Sequence, residues 1–381
     1  MGYQLNEDQV LIAEMARQFA EQRLKPNAAR WEDEKTLDKP TLRQMAELGF
    51  AGLYVKEDVG GSALSRLEAA LVFEQLARGC VSTAAFVSIH NMCAWMIDAF
   101  GSDDLRRKFL PDITGMRKIV SYCLTEPNAG SDAASLRTTA RKRDDSHYVL
   151  NGSKSFISGG GFSDLYLVMA RTGGDGPGGV SAFVVENGAQ GLSFGKNEKK
   201  MGWQAQPTAQ VIMEDCVVPA ANRIGPEGSG FKFAMMGLDG GRLNISACSL
   251  GAASEALERA RLYAKDRKQF GKAIADFQAT QFKLADMATD LEAGRALLYE
   301  AARRLDAKAP DATKFCAMAK RYVTDTGFKV ANDALQIHGG YGYLADYEIE
   351  RMVRDLRVHQ ILEGTNEVMR VIIAREMLKT S

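Results

Sequence analysis

Along this chain the spacing of apolar residues changes twice, and that double change limits the fold more than any single residue does. Over residues 1–118 apolar side chains recur at intervals of three and four, as in Val10, Met15 and Phe19, in Leu67, Leu71 and Phe73, and in Phe86, Ile89 and Met96. This is the period of helices with a buried face. Asn6 with Gln9 three residues later predicts a capping box, and Pro26, Pro40, Gly60-Gly61 and Gly101-Ser102 read as turns between helices. Over 119–225 the pattern becomes short β-rich runs: IVSYCL, HYVLNGSKSFIS, LYLVMA, VSAFVV and QVIMEDCVV. Asn151-Gly152 predicts a hairpin turn there, and Gly173 to Gly179 a mobile surface loop. Over 226–381 the helical period returns in 231–267, 276–306, 311–337 and 364–379, broken at Pro310 and at Gly339, Gly340 and Gly342. Long helices with short connections predict an antiparallel bundle. The expected class is α+β, mainly α, with an N-terminal helical domain (1–118), a middle antiparallel β-domain (119–225) and a C-terminal antiparallel four-helix bundle (226–381).

The chain has 381 residues, long enough for two or three domains. Its 48 basic and 48 acidic residues leave no net charge to draw it toward nucleic acid or an anionic membrane. The six cysteines are scattered, with no Cys-x-x-Cys pair and no Cys/His cluster at zinc spacing, so they read as buried thiols of a reducing compartment, with no metal site. The polar N-terminus lacks a signal-peptide core, Asn6 stands where a myristoylation site needs Ser or Thr, and no long apolar run appears. A cytoplasmic protein without membrane insertion is expected.

Two generic motifs fail on context. Gly340-x-Gly342-x-x-Ala345, with Glu363 downstream, fits a relaxed dinucleotide fingerprint, but Phe328, Ala331, Ala334, Leu335 and His338 before it have helical rather than strand spacing. Gly191-x-Ser193-x-Gly195 fits a nucleophile elbow, but KNEKK follows where a helix is required.

Five segments ask for more than packing. Tyr122 to Asp132 is a strand that exits into a turn rich in backbone N–H groups and hydroxyls. Phe156-Ile157-Ser158 runs into three glycines that allow close approach to a ligand. Arg267 to Gly271 closes a long helix with cations, which alone reads as a C-cap. Gln336 to Tyr343 is a glycine-dense break between helices, and Glu363 precedes a helix start.

Taken in this order, YCLTEPNAGSD, RKQFG, QIHGGYGY and EGTNE resemble the acyl-CoA dehydrogenase family over essentially the whole chain. Within it the wording is most similar to the branch that acts on short branched acyl-CoAs such as isobutyryl-CoA in valine breakdown, with 2-methylbutyryl-CoA and butyryl-CoA as competing substrates. The resemblance implies FAD, an acyl-CoA substrate, an electron-transferring flavoprotein as acceptor and a homotetramer. It implies Glu363 as the base that takes the α-proton while the β-hydride goes to flavin N5, the developing enolate oxygen being held by a flavin ribityl hydroxyl and the Glu363 N–H.

By the same carry-over Tyr122, Leu124, Thr125, Ser131, Phe156, Ile157 and Ser158 line the flavin. Arg267, Phe270, Phe277, Gln278, Gln336, Gly339 and Gly340 hold the pyrophosphate and adenine of a neighbouring subunit's FAD, completed by Thr365, Asn366 and Glu367. Ser131, Asp239, Gly240, Gly241, Arg242, Gly364 and Arg375 fall where the family contacts substrate. Phe156 and Ser158 depart from the family's usual Trp and Thr, which leaves the redox tuning open. Leu124, Leu238, Leu243 and Tyr343 are candidates for setting acyl-pocket depth. A non-catalytic member that binds acyl-CoA or nucleic acid would be expected to lack the glutamate or to carry a basic bundle, and an oxidase to be longer.

Overall fold

A computed structural model describes residues 5–379. Six helices form the first region: α1 (Glu7–Phe19), α2 (Ala28–Glu34), α3 (Lys39–Glu47), α4 (Arg66–Gly79), α5 (Val81–Phe100) and α6 (Asp103–Thr114). The capping box is present, Asn6 Oδ1 accepting from Gln9 N at 2.8 Å and Gln9 Oε1 from Asn6 N at 3.2 Å; Met1 and Gly2 lie outside the described residues. On α1 only Ala16 and Phe19 are buried, whereas Val10 and Met15 face outward, because α4 meets the helix on the other side of that stripe.

The middle region is a mixed sheet, not the purely antiparallel one expected. Its strands are β1 (Val120–Cys123), β2 (Thr139–Lys142), β3 (His147–Ser158), β4 (Leu165–Arg171), β5 (Val180–Glu186), β6 (Leu192–Phe194), β7 (Thr208–Pro219) and β8 (Arg223–Ile224). The order is β6-β7-β3-β2-β4-β5-β8, and β1 lies parallel to β4, Val120 opposite Leu165. A helix and a long excursion over 124–138 flank β1, so no tight turn forces it antiparallel. Asn151-Gly152 is no hairpin. β3 runs straight through it, with a register shift between Leu150 and Gly152, and Asn151 reaches across to Asp215, donating from Nδ2 at 3.0 Å and accepting the Asp215 N–H at 2.8 Å. A bulge satisfies the same turn residues. The Gly173–Gly179 loop is at the surface, Arg171 Nη1 donating to the carbonyl of Gly176 at 2.9 Å.

The last region opens with α7 (Gly230–Asp266), followed by a two-strand ribbon, β9 (Lys268–Gln269) and β10 (Lys272–Ala273), then α8 (Gln278–Asp306), α9 (Ala312–His338), α10 (Ile349–Arg357) and α11 (Asn366–Met377). Sequence spacing does not resolve α10, which is a single amphipathic stretch of nine residues. A continuous core runs from α1 and α4 through α7 to α8 and α9, so helices of the first and last regions share one interior, while a second cluster joins α5 and α6 to β1, β4 and β5. The site lies where these cores meet the ends of β1 and β3. Among the described residues no helix is long and apolar enough to cross a membrane, and no group of three or more His, Cys, Asp or Glu is arranged to hold a metal. All six cysteines are buried and free.

Candidate active site

Glu363 is the centre of the arrangement. It lies in the loop between α10 and α11 with φ of 57°, in the left-handed region that a non-glycine residue enters only under constraint. Part of the residue faces open space, but Oε2 is sealed from solvent without a hydrogen-bond partner. Burial pushes the carboxyl up to about 7, against the opposing pull of the Arg242 and Lys320 cations. Its backbone carbonyl accepts from Arg242 Nε at 3.3 Å, and Arg242 is itself paired to Asp239 at 2.7 Å.

The carboxylate occupies a space that one glycine keeps clear. A Cβ at Gly241 would lie 2.6 Å from Glu363 Oε2, and one at Gly240 would lie 2.4 Å from Arg66 Nη1. The Asp-Gly-Gly-Arg run on α7 is thus built around two charged side chains. The Tyr122 hydroxyl, on β1, is also sealed without a partner, and burial, aided by the Glu363 charge, pushes it well above its ordinary range. Leu124 and Leu243 are buried beside this region.

The ends of β1 and β3 form the adjoining wall. The Thr125 carbonyl accepts from Ser155 N at 2.9 Å, which ties the β1 exit to β3. Below it Glu126 accepts from Arg137 N, Thr138 N and the buried Lys154 Nζ, the last at 2.8 Å, and Lys154 also donates to the Leu124 carbonyl. Phe156, with φ of 59°, sits in a break of register between Lys154 and Ile157 and turns outward, 69% exposed, while Ile157 is buried. Gln206 Nε2 donates to the half-buried Ser158 Oγ, and Gln206 Oε1 is left buried and unpaired. Ser131, further along the turn, is exposed.

The remaining predicted residues lie at a second, open end. Arg267 is the C-cap of α7, its N–H donating to the Tyr263 carbonyl at 2.8 Å, while Phe270-Gly271, both at positive φ, make the two-residue turn of the β9–β10 ribbon. Phe270 is 93% exposed and meets half-buried Phe277 edge-on. Arg267 stacks over Tyr341, which brings the ribbon beside the Gly339–Tyr343 turn, where Gln336, Gly339 and Gly340 are exposed and the two glycines face open space. Gln278 is exposed as well. Tyr343 points outward at this end, and so does not line the region around Leu124 and Leu243 as expected.

Thr365 caps α11, accepting from Val368 N at 3.3 Å, Asn366 is buried and Glu367 exposed. Arg375 pairs with Glu376 at 3.2 Å about 14 Å along α11 from its start, away from Glu363.

Residues that sequence reasoning missed support the site from behind. Trp203 donates from Nε1 to His359 Nε2 at 3.2 Å, His359 Nδ1 meets Ser249 Oγ at 2.6 Å, and the Trp203 N–H is held by Asp355. This fastens the loop before β7 to the bundle. No local motif marks these residues; only their meeting across 156 positions does.

Three buried polar atoms without partners, on β1, on the loop before β7 and on the loop before α11, fit a flat group with polar edges laid against an outward aromatic. The fold is that of a flavin-dependent class of oxidoreductases. Family models for the acyl-CoA dehydrogenase N-terminal, middle and C-terminal domains match residues 6–117, 121–216 and 228–378, and the chain belongs to that family. It is 55% identical over 375 residues to mitochondrial isobutyryl-CoA dehydrogenase of Bos taurus, covering 98% of this chain and 90% of the relative. Among solved structures it superposes with TM-score 0.96 on butyryl-CoA dehydrogenase from Megasphaera elsdenii, at 40% identity over both full chains. A chain from a structure of the electron transferring flavoprotein of Acidaminococcus fermentans also gives TM-score 0.96, at 43% identity over both full chains.

Proposed function

We propose that the chain carries out α,β-dehydrogenation of a short branched acyl-CoA, isobutyryl-CoA first, with Glu363 as the base. The observation that carries this reading is the sealed, unpartnered Oε2 of Glu363 at a position cleared for it by Gly241. FAD, the family's cofactor, supplies when bound the acceptor for the β-hydride. Glu363 takes the α-proton at Oε2, and its own N–H is available to the thioester oxygen on which charge develops. Tyr122, Thr125, Phe156, Ile157 and Ser158 would hold the flavin ring, with Leu124 and Leu243 against the acyl chain. Arg267, Phe270, Phe277, Gln278, Gln336, Gly339 and Gly340 would hold the polar tail of the flavin of a second copy, in a homotetramer. Ser131, Asp239, Arg242 and Arg375 are the proposed contacts to CoA, and electrons leave to an electron-transferring flavoprotein. We take 1–118, 119–225 and 226–381 as the domains. Six buried free thiols suit a reducing compartment, and the cytosol and the mitochondrial matrix both qualify.

Anaerobic titration with a panel of acyl-CoAs tests the reading. Isobutyryl-CoA should bleach the flavin most, and Glu363→Gln should lower the bleaching rate by about 10²–10⁴-fold. The base must be ionised, so the wild-type rate should rise with pH through about 7 and fall below it. Undiminished bleaching in Glu363→Gln would reject the base; strongest bleaching by 2-methylbutyryl-CoA or butyryl-CoA would reject the substrate.

A further inference from the structure

Beneath the carboxylate loop lies a cation that the mechanism above does not use. Lys320, on α9, has 0% exposure. Its Nζ donates to the Gly364 carbonyl at 2.7 Å and to Asn366 Oδ1 at 2.8 Å. Asn366 is fixed in turn, its Nδ2 donating to Asp325 Oδ1 at 2.7 Å and Thr324 Oγ1 at 3.0 Å. Both residues that Lys320 grips lie within three positions of Glu363, and Gly364, like Glu363, has positive φ.

A lysine buried this deeply costs stability unless its charge is matched. Nothing in the packing of α9 calls for an ammonium there, since Ala317, Ala319 and Val323 around it are apolar. Of the carboxylates that favour the charged form, that of Glu363 acts most strongly, while burial pulls Lys320 down to about 7.

We propose that Lys320 is a positioning residue for the dehydrogenation: it fixes the Glu363–Asn366 loop through the Gly364 carbonyl and Asn366, and its ammonium favours the ionised carboxylate. The inference rests on Glu363 being the base. Other charges act on the pair. Arg242, from α7, favours the Glu363 carboxylate and opposes the Lys320 ammonium, with its own charge shared by Asp239. Asp325 on α9 and Glu367 on α11 favour the ammonium. Arg370 on α11 is a further cation at the loop, donating to the Asn366 carbonyl at 2.9 Å and facing Asp325 at 3.7 Å, whereas burial holds Tyr122 and Cys93 well above their ordinary values and His359 down to about 3.

The test is the pH profile of kcat in the FAD-loaded enzyme. Lys320→Met should move the acid limb to higher pH by about one pH unit, with the KM for acyl-CoA changing by less than about twofold; Lys320→Arg should restore the limb. A purely structural lysine would lower kcat without moving the limb, and a Lys320→Met limb that coincides with the wild type overturns the proposal. Coupling of two charges is reciprocal, so a second measurement uses Glu363→Gln. With ¹³Cε-labelled lysine, the Lys320 titration should move to lower pH in that variant, and an unmoved midpoint also overturns the proposal, even if Lys320→Met does not assemble. Retained turnover in Glu363→Gln would sink the base instead, which separates the two failures.

Discussion

The two ends of the site differ in how far one chain completes them. Around Glu363 the charged groups are buried and braced against one another, Arg242 on Asp239 and Lys320 on the loop itself. Around Phe270 and Gly339 the aromatic side chains stand in solvent, Tyr343 at 81% exposure, and the space beside the glycines is open. Proton abstraction loses rate when reacting atoms are misplaced by an ångström, so it belongs at the end that is dry and fixed. Holding a polar phosphate tail tolerates a surface completed on assembly, and one chain can leave that end to a second copy.

The largest effect expected from this contrast is at Gly241. Gly241→Ala inserts a methyl group into the space of the Glu363 carboxylate and should lower kcat by about 10²-fold, while FAD content and far-ultraviolet dichroism stay as in the wild type. An active Gly241→Ala would show that the carboxylate end has slack and is no more fixed than the other. Next comes Phe270→Ala at the open end. Removing one exposed aromatic anchor should weaken FAD retention by about tenfold, read by titrating apoprotein with FAD. The loss should be steeper at low protein concentration, because the proposed partner copy dissociates there. Retention independent of protein concentration would mean that one chain completes this end after all.

Much of this layout is legible in the sequence, and the parts that are not share a cause. The helix and strand periods locate α7 to α9 to within a residue or two, and Glu363 is marked by the residues around it. Asn151-Gly152 misleads because the same residue pair suits a hairpin turn and a bulge, and only the partner strand β7 decides between them. Arg267 to Gly271 is legible in part: Arg267 caps α7 as its position after the helix suggests, but that Phe270-Gly271 at positive φ makes a ribbon turn is decided by the pairing of β9 with β10. The parallel β1, the Trp203–His359 link and the Lys320 contacts depend on residues 44 or more positions apart in the chain, which no local pattern encodes. Gly241 is visible as a glycine in a helix, but its reason is a carboxylate 122 residues later.

The smallest effect expected is at Thr365, and it tests what holds the carboxylate loop. Thr365 caps α11 through a bond of 3.3 Å to Val368 N, so Thr365→Ala should cost about 1 kcal/mol or less of stability. The first turn of α11 has a second anchor in Asn366, which is buried and bound to Lys320, Thr324 and Asp325. Fraying should therefore stop at the cap, and the pH profile of kcat in Thr365→Ala should overlay that of the wild type after a slightly lower unfolding midpoint. If this half-buried cap moved the profile as far as Lys320→Met, the loop would be held from its outer side. The contrast between a buried, self-braced end and an open one would then no longer describe the molecule.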